Sequence, residues 1–198
     1  MLFRSPTAGR QARPVVRSIL HSPGLASYRC RPLSFTLGVT VDIPQDLRSF
    51  WDAFAATQAG DPTPRFLEAF HFDDNERSAN ELAALVLAGT KRATAGLLWS
   101  HETGNRPLPR PGDMSIVTKY SGEPVCVIET EKVEIVPFDE VTEAFAATEG
   151  EGDGSLKYWR EAHEAFFGRE CKRIGLAPKA CMPVVCEQFK VVFTDSAR

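Results

Sequence analysis

The chain has 198 residues, of which 43% are hydrophobic and 25% charged, enough length and apolar content for one domain with a buried core. Its net charge of −3 hides an asymmetry: residues 1–40 hold six Arg and neither Lys nor acid, so the remaining 17 basic and 26 acidic residues carry −9. An acidic body argues against a broad phosphate-binding surface, and the absence of any run near ~20 apolar residues excludes a membrane-spanning helix.

The first forty residues, with Pro6, Pro14, Pro23 and Pro32, read as a basic, disordered Arg/Ser/Pro-rich tail. An acid-free, Arg- and Ser-rich start is also the composition of an organellar transit peptide. The folded domain is expected over 41–198. Cys30, Cys126, Cys171, Cys181 and Cys186 are odd in number and follow no secretory signal. Buried thiols in a reducing, cytoplasmic compartment are expected rather than disulfides or a zinc site.

From Pro44 the pattern becomes helical. Leu47, Phe50, Trp51, Phe54 and Ala55 fall at i, i+3, i+4, i+7 and i+8, and Gly60-Asp61-Pro62 ends the run. A second helix is expected over 76–88, with Leu82, Leu85 and Val86 inward and Gly89 at the C-terminal cap. Glycines and prolines make 101–113 a loop. Strands over 114–119 and 125–136 flank the turn at 121–124 and form a hairpin. A short helix is expected near 138–147, then a flexible acidic loop over 149–155. Ser155 caps the next helix, which carries Leu156, Trp159, Phe166, Phe167 and Ile174 on one side. A strand over 183–193 closes the chain. This order of elements indicates an α+β domain around a small mixed sheet or barrel.

Three features could carry chemistry. On the long strand, Val125, Val127, Glu129, Glu131, Val133 and Ile135 share a face. Either Glu129 or Glu131 is a partly buried carboxylate, or a bulge or barrel rim turns both to water. In Gly89-Thr90-Lys91-Arg92-Ala93-Thr94, a helical turn would bring Lys91 and Thr94 together, while extended chain would point them apart. A threonine nucleophile needs a nearby base, and Lys91 serves only if desolvation or Arg92 lowers its pKa. Trp159 and His163 stand at i and i+4 on one helix. They are a core Trp beside a half-buried His, or a stacking platform for a base beside a polar contact. His21, His71 and His101 fall in the tail or in loops and carry no signal of their own.

The ordered segments GTKRATAGLLW, PGDMSIV, PVCVIETEKVEIVPFDEV, GDGSLKYWREAHEAFF and MPVVCEQFKVVF resemble those of ASCH-domain proteins. The likeness spans about 47–193 and is closest to the longer bacterial subgroup. It implies a PUA-like small mixed β-barrel with surrounding helices and a cleft for RNA or a nucleoside. The wider family includes small amidohydrolases that deacetylate N4-acetylcytidine, proteins reported as ribonucleases, and presumed RNA binders. The amidohydrolase pattern is a Lys, a Thr three residues later and a Glu on a following strand. Lys91 and Thr94 match the first two; Glu129 is taken for the third, with Glu131 beside it.

On that likeness Thr94 attacks an acyl carbonyl, neutral Lys91 accepts its proton and Glu129 orients the lysine or the substrate. Arg92, Glu131, Trp159 and His163 are expected to contact substrate. No cofactor, metal or membrane partner is implied, and the oligomeric state is open. The rivals are a ribonuclease using Lys91 or His163, and a non-catalytic RNA-binding module using Lys91, Arg92, Arg106, Arg110 and Arg160 on phosphate and Trp159 on a base.

Overall fold

The computed structural model describes residues 42–195. The tail expected over 1–40, its targeting reading and Cys30 lie outside the described residues. Phe50, Trp51 and Phe54 are the buried residues of α1 (Arg48–Ala55), as the periodicity requires. They pack on Phe66, Met114, Ile116 and Val127, with Trp51 edge-on to Phe66 at 5.0 Å. Each such aromatic contributes roughly 1.5–3 kcal/mol on burial.

β1 (Phe66–Phe70) follows, a strand with no clear alternation in its sequence FLEAF. In α2 (Glu76–Leu87) the Asn75 side chain accepts from the Ser78 amide and caps the helix. The chain then leaves through Gly89 at φ 71°. β2 (Ala93–Leu97) comes next and runs directly into α3 (Leu98–Thr103), so the expected loop over 101–113 begins inside a helix.

β3 (Met114–Thr118) and β4 (Pro124–Pro137) form the expected hairpin. The helix expected near 138–147 is instead a 3-10 turn, Phe138–Glu140, and then α4 (Glu143–Glu149). Ser155 accepts from the Tyr158 amide and caps α5 (Leu156–Arg173). β5 (Pro183–Thr194) closes the domain.

The strands make one mixed sheet in the order β1-β3-β4-β5-β2, in which β1 and β3 are parallel and the other pairs antiparallel. The fold is α+β as expected, but β1 and β2 are its two edges and no ladder among the described residues closes it into a barrel. The larger core joins α2, α4 and α5 to the sheet through residues such as Leu82, Val86, Phe145, Trp159, Phe166 and Phe167.

Two register shifts break the β4–β5 ladder, one of them between Thr130 and Lys132. A bulge bends the strand and interrupts its alternation of faces. Cys126, Cys171 and Cys186 are buried free thiols, while Cys181 is exposed, against the expectation of burial for all. Burial pushes the Cys126 and Cys186 thiols up to about 12, which makes both inert at neutral pH.

Candidate functional site

No helical turn joins Lys91 to Thr94: irregular chain at 91–92 leads into β2 at Ala93, where side chains alternate. Lys91 has the parity of Ala93, Ala95 and Leu97, which lie in the larger core. Thr94 has the opposite parity and stands across the ladder from Glu187. Of the two arrangements open in the sequence, the helical one does not hold: the structure does not bring Lys91 and Thr94 together.

Lys91 is fully buried. Its Nζ donates to Glu149 Oε2 at 2.8 Å and to Glu151 Oε1 at 2.7 Å, and stands 5.2 Å from the centre of the Phe72 ring. Burial opposes the ammonium charge, but the two carboxylates outweigh it and hold the Lys91 pKa above its ordinary value. The same pairing overcomes burial at Glu151 and depresses its pKa. Lys91 is therefore an ion-paired ammonium and not the neutral base that the family likeness implies.

The carboxylates come from the end of α4 and the segment after it. Gly150, between them, takes φ 63° and lies so close to Thr90 that an added Cβ would stand 2.6 Å from the Thr90 carbonyl oxygen. The backbone N–H of Arg92 donates to the Thr148 carbonyl, which ties this turn to the entrance of β2. The loop read as flexible and acidic thus begins with two inward carboxylates.

Glu149 also accepts from Trp159 Nε1 at 3.0 Å. Trp159 is 2% exposed, stacked on His163 at 4.1 Å and packed on Phe138. No ring face is left for a base, so the core reading holds and the stacking platform does not. His163 is fully buried, with Nδ1 2.9 Å from the Trp159 carbonyl and Nε2 3.7 Å from Glu149. Burial lowers its pKa, which keeps the ring neutral, with Nδ1 the donor.

The glutamates of β4 lie elsewhere. Glu129 pairs with Arg65 at 2.5 Å and with Lys190 at 3.4 Å, and the half-exposed Glu131 pairs with Lys190 at 3.4 Å. Glu129, at 22% exposure, is the partly buried carboxylate of the two, and its partners are Arg65 and Lys190 rather than Lys91. Arg92 is exposed.

Thr94 lines a shallow pocket with about 30 Å³ of free space, room for about one water, together with Gly96, His101, Arg106, Glu170 and Glu187 among others. Thr94 Oγ1 is buried and makes no hydrogen bond. Such atoms are rare in folded proteins. Ser115 Oγ, Thr118 Oγ1 and His163 Nε2 share the condition but line neither this pocket nor the second one described below.

Glu187 is 2% exposed and accepts from the Thr130 hydroxyl at 2.7 Å, which fixes its carboxylate. Glu170 accepts from Ser100 at 3.0 Å and from Arg173 at 2.6 Å. His101 Nδ1 lies 3.3 Å from the Pro107 carbonyl, so Nδ1 carries a proton toward it. Nε2 lies 3.5 Å from where a Cβ on Gly96 would stand, so the glycine admits the imidazole to the wall of β2.

Sequence reasoning missed Glu149, Glu151, His101 and Glu187. Only the Thr94–Gly96 alternation in β2 could have pointed to the pocket, and it shows only once the strand is known. A second cavity, of about 590 Å³, lies beside Phe138, Arg160, Lys179 and Met182 and contains no buried polar atom lacking a partner. No group of three His, Cys, Asp or Glu among the described residues could hold a metal ion.

A family model described as ASCH domain matches residues 68–193. A crystal structure of an ASCH domain from Lactobacillus crispatus is similar at 35% identity and a TM-score of 0.70, covering 76% of this chain and 96% of that one. A crystal structure of a protein from Enterococcus faecalis, of a family of undetermined function, is similar at 33% identity and a TM-score of 0.67, covering 74% and 88%. No curated protein matches the chain.

Proposed function

Since the chain belongs to the ASCH-domain family, we propose that it acts on a modified nucleoside, free or within RNA, as an amidohydrolase of the N4-acetylcytidine type, with Thr94 as nucleophile. The observation that carries this reading is the buried hydroxyl of Thr94, without a hydrogen-bond partner, on a residue that lines a small polar pocket. The acidic body and the enclosed positions of Lys91 and Trp159 favour a small ligand over a long RNA track.

Thr94 Oγ1 attacks the acyl carbon, and its proton passes to His101 Nε2. Arg106 brings positive charge to the same pocket, where an oxyanion develops. The C–N bond breaks as the proton moves from His101 to the leaving amine, and water then hydrolyses the threonine ester. Lys91 is a positioning residue: it holds Glu149 and Glu151 beneath the entrance to β2 and touches no substrate.

The test is cytidine release from N4-acetylcytidine by the full chain, by Thr94→Ala and by His101→Gln. Wild-type turnover is expected, with a loss of about 100-fold or more in each variant. Turnover that survives Thr94→Ala, or a wild-type chain that releases no cytidine, would reject the amidohydrolase step.

A further inference from the structure

The cavity beside Phe138 and Met182 has about 250 Å³ of free space, close to the lower end of the ~300–1,000 Å³ range of small-molecule sites. Three segments frame it: the 3-10 turn Phe138–Glu140, α5 and the chain at 178–182. The Phe138 N–H donates to the Met182 carbonyl at 2.9 Å and the Asp139 N–H to the Ala180 carbonyl at 3.0 Å. Arg160 Nη2 donates to the Asp139 carbonyl at 3.0 Å. The walls are thus tied to one another without a ligand, which lowers the ordering cost of binding. Phe138, at 8% exposure, and Met182, at 2%, make an apolar floor. At the mouth, Arg160 and Glu164 stand one turn apart on α5, a spacing at which opposite charges ordinarily pair. Among the described residues these two form no ion pair. The guanidinium turns to the Asp139 carbonyl instead, and Glu164 and Lys179 are exposed and unpaired among the described residues.

From this separation of charges over an apolar floor we propose that the cavity binds a free α-amino acid with an aromatic or branched apolar side chain. Its carboxylate meets Arg160, its ammonium meets Glu164, and its side chain packs on Phe138 and Met182. The bond to Asp139 takes one guanidinium N–H and leaves others for a two-point grip on the carboxylate. Cβ atoms one turn apart are about 5–6 Å from each other, a span that the adjoining charges of an amino acid bridge. Lys179 adds a second cation from the wall at 178–182. A nucleoside carries neither charge, so this site does not depend on the reading of Thr94.

The test is equilibrium binding to the full chain of L-phenylalanine and three relatives, with amide and indole chemical shifts followed in the same titrations. The relatives are 3-phenylpropanoate, which lacks the ammonium, 2-phenylethylamine, which lacks the carboxylate, and glycine, which lacks the side chain. L-Phenylalanine is expected to bind with a Kd of about 1 mM or tighter. Shifts are expected at Phe138, Arg160 and Met182, and at the Trp159 indole, which stacks on Phe138 at 5.4 Å. Each relative should bind about tenfold more weakly or worse. Glu164→Gln should weaken L-phenylalanine about tenfold and leave 3-phenylpropanoate within about twofold. Arg160→Gln should weaken it equally and leave 2-phenylethylamine unchanged. Thermal melting shows that each variant is folded, and the Glu164→Gln comparison decides alone should Arg160→Gln unfold. No saturable binding of L-phenylalanine up to about 10 mM, a relative that binds as tightly, or affinity unchanged in the variants would overturn the proposal.

Discussion

Lys91 and Thr94 are three residues apart and meet opposite conditions. Lys91 is a buried cation between two carboxylates, and removing one partner of such a group strands the others. Lys91→Met is expected to lower the unfolding free energy by about 3–5 kcal/mol. Adding Glu151→Gln should restore part of it, because one stranded charge is removed. Urea titration of both proteins decides the point, and a loss below about 1 kcal/mol for Lys91→Met would show that the cluster is not the constraint described. Thr94 is the reverse case. Its buried hydroxyl gains nothing from the fold, so Thr94→Val should leave stability unchanged or raise it slightly while abolishing cytidine release. A Thr94→Val protein that is clearly less stable would mean that the hydroxyl has a structural partner.

At the scale of elements, the turn joining α4 to α5 connects the buried cluster to the entrance of β2. Gly150 and Gly154 both take positive φ, at 63° and 73°, but only Gly150 abuts another chain segment. Gly154→Ala should cost about 1–2 kcal/mol from its backbone conformation alone. Gly150→Ala should cost more, because its Cβ meets the Thr90 carbonyl. Equal losses in denaturant titration would contradict the close packing of this turn. The contrast also shows what was legible beforehand. Helices α1, α2 and α5 and the long strands declared themselves through periodicity and through caps such as Ser155. β1 and β2 did not, because FLEAF and ATAGL are too short and too poor in alternation to differ from loop or helix. The site suffered most from this. The partners of Lys91 lie 58 and 60 residues away, in a glycine-rich acidic run whose composition points to solvent. Glu129, on a well-marked strand, is the partly buried carboxylate expected there, but its partners Arg65 and Lys190 come from distant segments.

For the molecule as a whole, the buried cluster sets the pH range of stability. The pKa of His163 is held below its ordinary 6.5 by burial. As pH falls through 6.5 the unfolded chain takes up a proton that the folded chain refuses, so stability present above 6.5 declines toward the folded pKa. Glu151, depressed by Lys91, adds a second loss below 4.5. Lys91, raised by its carboxylates, keeps its contribution below 10.5 and loses it as pH climbs through the higher folded pKa. A plateau from 6.5 to about 9 follows, because above 9.0 the unfolded chain loses the Cys126 and Cys186 protons that the folded chain keeps. The acid limb near pH 6 should have a slope of up to about 1.4 kcal/mol per pH unit, the value for one proton. Denaturant titrations at pH 7.5 and 5.5 should show this limb in the wild type and much less of it in His163→Gln. An identical decline in both proteins would assign the acid sensitivity to other groups.

The central claim is that ligand enters beside Thr94 and not beside Trp159 or in the cavity near Phe138. Amide and indole chemical shifts of the full chain, followed during titration with cytidine and N4-acetylcytidine, test it most directly. Shifts concentrated at Thr94, Gly96, His101, Val185 and Glu187, with the Trp159 indole signal unmoved, are the expected result. Shifts concentrated at Phe138, Arg160, Lys179 and Met182, or at Trp159 itself, would place the ligand elsewhere and contradict the assignment.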